Sequence, residues 1–414
     1  MMTPQEIEID GYNYELDEAK IARYPLEERD ICKMLIYNGD NQIYDSIFKS
    51  LPEQLPDNAV LIYNSSRVIK ARILFRKGED NKGALIEIFC LDPIEPVDYQ
   101  QSFASRKKCI WKCIVGNSKK WKPGTYLKKE LSINDSKVIL KAGRKFLNGN
   151  EWAVEFDWDN AGIVFSQIIE AAGVIPIPPY LNRDSEEEDE RNYQTVYSHE
   201  EGSVAAPTAG LHFTGNTLRN IDERGIPRRE VVLHVGAGTF KPVTTQKIGN
   251  HEMHREFFSV NKNLIKELLV WCEDTDRRKI IAVGTTTIRT LESLYYVGCL
   301  MKQNKWHGVV PQWIPYTDES DKYSLKESLQ AILDYDKSEE VVGETSIIIV
   351  PGFKFRIVDG LITNFHQPGS TLLLLISAFL GRKDEDWDKW KKIYDHAINH
   401  DYRFLSYGDA CFFT

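Results

Sequence analysis

A chain of 414 residues with 42% hydrophobic and 27% charged side chains has enough apolar surface for packed cores, which excludes wholesale disorder. Its formal net charge of −9 excludes a global positive field that would hold a polyanion non-specifically, so any nucleic-acid surface has to be local. Seven scattered cysteines, and a longest apolar stretch at residues 371–380 that is about half of a bilayer crossing, predict a reduced, cytoplasmic protein without a membrane-spanning helix.

Residues 67–145 carry 19 Lys+Arg against 8 Asp+Glu, a net +11 that leaves −20 on the other 335 residues. Here short apolar runs such as Ala84-Leu85-Ile86-Glu87-Ile88-Phe89 and Lys137-Val138-Ile139-Leu140 alternate with turn signals at Lys122-Pro123-Gly124 and Asn148-Gly149-Asn150. That texture predicts a small basic antiparallel β-barrel domain at 66–155, interrupting an α/β domain made of 1–65 and 156–414. Lys119, Lys120 and Lys122 flank Trp121. Cations bind phosphates and flat rings stack on unpaired bases, so these four are the candidate RNA contacts; a solvated barrel exterior is the alternative. Three prolines between Val174 and Tyr180 predict a stiff connector, and the acidic run 184–190 a solvated loop. Between Gly298 and Gly343, Ser324-Leu325-Lys326-Glu327 is a capping-box pattern followed by Leu329, Ile332 and Leu333 at helical spacing. We expect a peripheral helical insertion there, at about 299–343.

From residue 204 onward apolar strands alternate with helices, and each strand ends in a loop rich in Gly, Thr, Pro and His. This is α/β architecture, whose sites form where strands end. Four loops share that grammar. Residues 204–214 set Thr208 among small residues that let a ligand approach the backbone, with Thr214 as a helix cap. His212 in the same loop can exchange a proton near neutral pH or act as a structural hydrogen-bonder. Residues 231–240 run a strand into Gly236-Ala237-Gly238. Lys241 occupies the third glycine position of a dinucleotide fingerprint, so the Rossmann reading fails and the exposed backbone either holds an adenine or ribose or turns the chain. His234 reads as core. Residues 280–292 take a buried strand through Gly284 into Thr285, Thr286 and Thr287, with Arg289 following. Free amides, hydroxyls and a guanidinium suit a carboxylate or phosphate, with simple capping as the alternative. Residues 361–371 aim Asn364 and His366 at the crevice before a helix that is apolar all round. Tyr407 and Asp409 close the chain near the same place.

Two patterns are set aside. The histidines of His251-Glu252-Met253-His254 stand three apart where a zinc-protease helix needs four, and Cys109 and Cys113 have no nearby third and fourth ligand, so no metal is expected.

Together these runs resemble the S-adenosylmethionine:tRNA ribosyltransferase-isomerase family of queuosine biosynthesis. The matching runs are Tyr24-Pro25-Leu26-Glu27 with Arg29-Asp30, Tyr193-Gln194-Thr195-Val196-Tyr197, residues 204–214, 233–240, 251–254 with Glu256, 282–292, Pro351-Gly352 with Phe355, 361–366 and 406–409. The resemblance implies an α/β main domain interrupted by a small antiparallel β-barrel domain. It implies S-adenosylmethionine as co-substrate with no other cofactor, a tRNA with a modified guanine in its anticodon as partner, no membrane, and a monomer. It also implies a reaction, in which the ribosyl carbons of S-adenosylmethionine move to 7-aminomethyl-7-deazaguanine in tRNA and rearrange to epoxyqueuosine, releasing adenine and methionine. A sulfonium acidifies the neighbouring ribose carbon. A base can remove that proton, adenine can leave as the sugar opens, and the aminomethyl nitrogen can attack before methionine departs.

That route needs proton exchange more than a metal or a covalent nucleophile. On this basis His212 and His366 are the acid/base candidates. Arg289, Thr285 and Thr286 hold the methionine carboxylate, Asn364 and Asp359 serve ribose or adenine, and Thr208, Gly236, Gly238, Tyr407 and Asp409 complete the substrate site. Two runs depart from the family pattern. Asn64-Ser65-Ser66-Arg67-Val68 stands where Asn-Asp-Thr-Arg-Val is common, and Gln367-Pro368-Gly369-Ser370 where Leu-Pro-Lys-Ser is common. A divergent paralogue with another acceptor, and a non-catalytic RNA-binding module, are the alternatives.

Overall fold

The strand Ala59–Asn64 is buried along its whole length. Val60 and Ile62 pack in one core with the helices Thr285–Lys302 and Thr371–Gly381. Ala59, Leu61 and Tyr63 pack in another with Leu218 and Ile221 of the helix Gly215–Glu223. A strand that feeds cores on both faces needs an unbroken apolar run, and Ala-Val-Leu-Ile-Tyr supplies it. The computed structural model describes the chain except for residues 1–2, 40–41, 79–82, 237–242, 244, 274–276 and 319.

This strand is one of ten in the main sheet. At the centre, Arg228–Leu233, Ala59–Asn64, Lys279–Val283 and Gly360–Asn364 run parallel and side by side. Glu256–Asn261, Glu340–Thr345 and Val309–Val310 extend one edge; Ala410–Phe413, Lys33–Tyr37 and Ile43–Ile47 extend the other. Val231 is level with Asn64, Tyr63 with Val283, and Val283 with Ile362. The four carboxyl ends therefore open on one edge, where α/β sheets hold ligands.

The basic segment folds into a seven-stranded antiparallel sheet, in the order Gly173–Val174, Arg72–Arg76, Leu85–Glu95, Lys108–Gly116, Glu151–Trp158, Ser136–Asn148, Leu127–Ile133. It is a curled half-barrel. Among the described residues no strand pair joins Leu127–Ile133 to Gly173–Val174. The helix Phe165–Ala172 packs against both flanks of that opening, and Lys129 Nζ donates to the Ala172 carbonyl at 2.8 Å.

Trp121, expected to face RNA, lies fully buried in the half-barrel core. Its Nε1 donates to the Thr125 carbonyl at 2.9 Å, and the Arg144 guanidinium sits 5.1 Å from its ring. Burying an indole whose N–H keeps a partner outweighs leaving it in water. Lys119, Lys120 and Lys122 are exposed.

The stretch expected as a peripheral insertion is integral to the main sheet. Gly298 through Lys302 complete the 18-residue helix Thr285–Lys302. Leu329 and Ile332 of the helix Leu325–Tyr335 are fully buried in the main core, and Val309–Val310 and Glu340–Thr345 are strands of the sheet. The capping box forms as expected: Ser324 Oγ accepts from Glu327 N at 3.2 Å, and Ser324 N donates to the Glu327 carboxylate at 2.9 Å. Among the described residues no helix is long and apolar enough to cross a membrane.

Helix Leu325–Tyr335 lies so close to helix Thr285–Lys302 that a Cβ on Gly298 would stand 2.0 Å from the Ser328 carbonyl oxygen. Gly298→Ala has to push two packed helices apart, and we expect a loss of about 1–3 kcal/mol of stability, read as a lowered denaturant midpoint with an unchanged slope.

Candidate functional site

A cavity of about 420 Å³ opens at the carboxyl ends of the parallel strands, within the size range of pockets that enclose a small ligand. The ends of three of the four, Arg228–Leu233 through Val235, Lys279–Val283 and Gly360–Asn364, contribute to its wall. Lys279–Val283 stops at Gly284, whose φ of +87° lets the chain turn directly into the helix Thr285–Lys302. Thr285 and Thr286 stand on the wall there. No side chain caps this helix start, so its first amides and the positive end of its dipole favour an anion.

Arg289, in the same helix, reaches the wall as well. Its Nη1 is ion-paired to Glu256, both side chains being buried, and its Nε donates to the Ile347 carbonyl at 3.3 Å. Among the described residues the buried Nη2 has no protein partner, and neither has Thr286 Oγ1. The expected carboxylate grip is thus half taken by an internal carboxylate. Glu256 went unassigned in the sequence, although a signal was there: it shares its strand face with the buried Phe258 and Val260, and a Glu on an apolar face needs a buried cation.

Across the cavity, Gly360–Asn364 delivers Asn364 and His366 to the wall. His366 Nε2 lies 2.9 Å from Thr363 Oγ1, and its backbone N–H donates to Tyr394 Oη at 3.0 Å. Burial pushes its imidazole down to about 4. Asn364 Nδ2 lies 3.0 Å from His212 Nε2 and 3.1 Å from the Leu405 carbonyl oxygen, while Oδ1 has no partner. His212 itself does not line the cavity; it lies behind Asn364, with Nδ1 3.3 Å from Cys32 Sγ and its ring 5.2 Å from that of Phe48. Burial, reinforced by Arg403 and Arg29, pushes it down to about 3.

Thr208 is on the wall, at the start of the turn Thr208–His212. Thr214 caps the next helix as expected, accepting from Thr217 N at 3.2 Å. Gly236 follows the strand Arg228–Leu233 but does not line the cavity, and Gly238 lies outside the described residues.

Three expected site residues are placed elsewhere. Asp359 precedes the strand that Asn364 ends, so it stands at the opposite edge of the sheet, accepting from Ile280 N at 3.0 Å and pairing with Arg277 at 3.2 Å. Tyr407 donates to Asp189 at 3.1 Å. That carboxylate is itself buried and held by both Nη atoms of Arg183 at 2.7 Å, so the acidic run is anchored at this residue. Asp409 accepts from Lys33 N at 3.0 Å and Arg403 N at 2.7 Å and fixes the last loop. The wall instead includes Tyr180, His251, Met253, His254 and Ser406. His234 is buried at the end of its strand, against the rings of Phe257 at 5.3 Å and Tyr99 at 4.7 Å.

A pocket at the ends of parallel strands, with an uncapped helix start, a buried ion pair and a neutral imidazole on its wall, is the kind of site at which α/β proteins hold small ligands. The model of the queuosine biosynthesis protein family matches residues 9–413, and the chain belongs to that family. It is 36% identical over 405 residues to the S-adenosylmethionine:tRNA ribosyltransferase-isomerase of Thermotoga petrophila, covering 98% of this chain and 99% of that one. It is 34% identical over 412 residues to the protein of that name from a Sulfurihydrogenibium species, with 98% and 99% covered. The crystal structure of S-adenosylmethionine tRNA ribosyltransferase from Thermotoga maritima matches with a TM-score of 0.45 at 27% identity, covering 97% of this chain and 99% of that one.

Unfolded chains titrate at His212 and His366 near 6.5, far above the folded values of about 3 and about 4. Below pH 6.5 the unfolded state takes up protons that the folded state refuses. The stability these two groups contribute is complete above 6.5 and drains away as pH falls through the folded values. The thermal midpoint should therefore decline between pH 6.5 and 4, and His366→Gln, which has no proton to take up, should flatten that decline.

Proposed function

We propose that this protein is an S-adenosylmethionine:tRNA ribosyltransferase-isomerase. It transfers the ribosyl carbons of S-adenosylmethionine to 7-aminomethyl-7-deazaguanine in tRNA and isomerises them to give epoxyqueuosine, with adenine and methionine released. The observation that carries this reading is the convergence on one cavity of runs that are far apart in the chain: Thr285, Thr286 and Arg289 on one wall, Asn364 and His366 on another. Kinship over nearly the whole chain supports it.

The roles follow from the side chains. The uncapped helix start, Thr285, Thr286 and the unengaged Nη2 of Arg289 receive the methionine carboxylate, with Thr208 beside them. Asn364 serves ribose or adenine. His366, neutral near pH 7, takes the proton from the carbon next to the sulfonium.

The smaller of two lobes runs from about residue 66 past residue 155, since Phe165, Ile168 and Ile169 belong to the half-barrel core. Its exposed Lys119, Lys120 and Lys122 meet tRNA phosphates, and Tyr126 and Phe146, both exposed, replace Trp121 as rings that bases can stack on. The enzyme works as a monomer in the cytoplasm.

Incubation with S-adenosylmethionine and tRNA bearing the aminomethyl base should release adenine, and no adenine should appear without that tRNA; adenine-free tRNA binding would favour a non-catalytic module. His366→Ala should lower turnover at least roughly a hundredfold, and near-normal turnover would remove it from the mechanism. Reversing charge at Lys119, Lys120 and Lys122 should weaken tRNA binding and flatten its salt dependence without matching loss of S-adenosylmethionine binding. Equal losses for both ligands would point to misfolding.

A further inference from the structure

We infer that His212 is a positioning residue, which holds the Asn364 amide in one orientation so that Asn364 meets the ligand with its oxygen. The inference rests on the reading of the cavity given above. The Leu405 carbonyl, 3.1 Å from Asn364 Nδ2, can only accept. The amide nitrogen has to face it, because the flipped amide would set two oxygens against each other. The second hydrogen on Nδ2 then goes to His212 Nε2 at 3.0 Å, which makes Nε2 an unprotonated acceptor. The ring proton consequently sits on Nδ1, 3.3 Å from Cys32 Sγ. That sulfur is buried, and burial raises its pKa, so it stays a thiol and takes a weak bond on its lone pair.

Both N–H groups of Asn364 are therefore engaged by the protein. Oδ1 is buried and has no partner among the described residues, which leaves it as the side-chain acceptor for a ribose hydroxyl or an exocyclic amine. A protonated His212 would present N–H to N–H and force the amide round against Leu405. Burial of the ring, in contact with Phe48, disfavours that state. Because His212 does not line the cavity, it acts on the ligand through Asn364.

Two measurements test this. Nitrogen-15 NMR of the histidine-labelled full chain at neutral pH, with the His212 signal assigned from its loss in His212→Gln, should show a neutral ring protonated on Nδ1. Proton on Nε2, or an imidazolium, would overturn the inference whether or not S-adenosylmethionine binds. For the second, His212→Leu removes the acceptor and His212→Gln can restore it through its side-chain oxygen. The Kd for S-adenosylmethionine should rise at least tenfold in His212→Leu and less than threefold in His212→Gln, with kcat falling less than tenfold in either. A hundredfold fall in kcat for His212→Gln at unchanged Kd would mark proton transfer and overturn it, as would equal Kd in both variants. Wild-type protein with the expected tautomer and no affinity for S-adenosylmethionine would uphold the amide orientation and defeat the substrate reading.

Discussion

Four parallel strands that stop at the same level leave the site no other place to form. Inside the sheet each backbone group has a partner on the next strand, but at the carboxyl edge the chain has to turn, and each turn brings unsatisfied amides, small residues and polar side chains into one space. Gly284, Asn364 and Val235 are on the cavity wall because of that edge. The flanking antiparallel strands add little to the chemistry directly, yet they close the wall: Glu256 reaches it from the first residue of its strand.

Two buried carboxylates tie the helix Thr285–Lys302 to its surroundings by different means. Glu256 neutralises Arg289, so a guanidinium can be held in the cavity wall without an uncompensated charge. Glu292 is fully buried and accepts from the backbone amides of Arg356 at 2.9 Å, Ile357 at 3.1 Å and Val358 at 3.0 Å. It ties the loop that leads into the strand Gly360–Asn364 to the same helix that carries Arg289. One helix is therefore joined to the strand Glu256–Asn261 through Arg289 and to the approach of the strand Gly360–Asn364 through Glu292.

Local pattern made the local features legible. The Ser324 capping box, the Thr214 cap, the all-round apolar helix Thr371–Gly381 and the exposed lysines near Trp121 all follow from side chains within one turn of each other. The convergence of the 204–214, 280–292 and 361–371 loops was legible because each is a strand end of the same grammar. What the pattern could not carry was direction and depth. Asp359 and Asn364 are five residues apart, and nothing local says that the strand between them separates the two edges of a sheet. Trp121 sits among lysines in sequence but inside a core in space. The pairing of Glu256 with Arg289, and the placing of His212 behind Asn364 with Cys32 at its back, join residues from distant parts of the chain, and only the assembled sheet brings them together.

Tyr99, His234 and Phe257 join the half-barrel to the main sheet by a three-way contact of rings. Tyr99 stands on the short helix Tyr99–Phe103, whose Phe103 is rooted in the half-barrel core, while His234 and Phe257 belong to the main sheet. His234 lies nearly parallel to Phe257 and Tyr99 is tilted against both, so the half-barrel is keyed to the main sheet directly beside Val235 on the cavity wall.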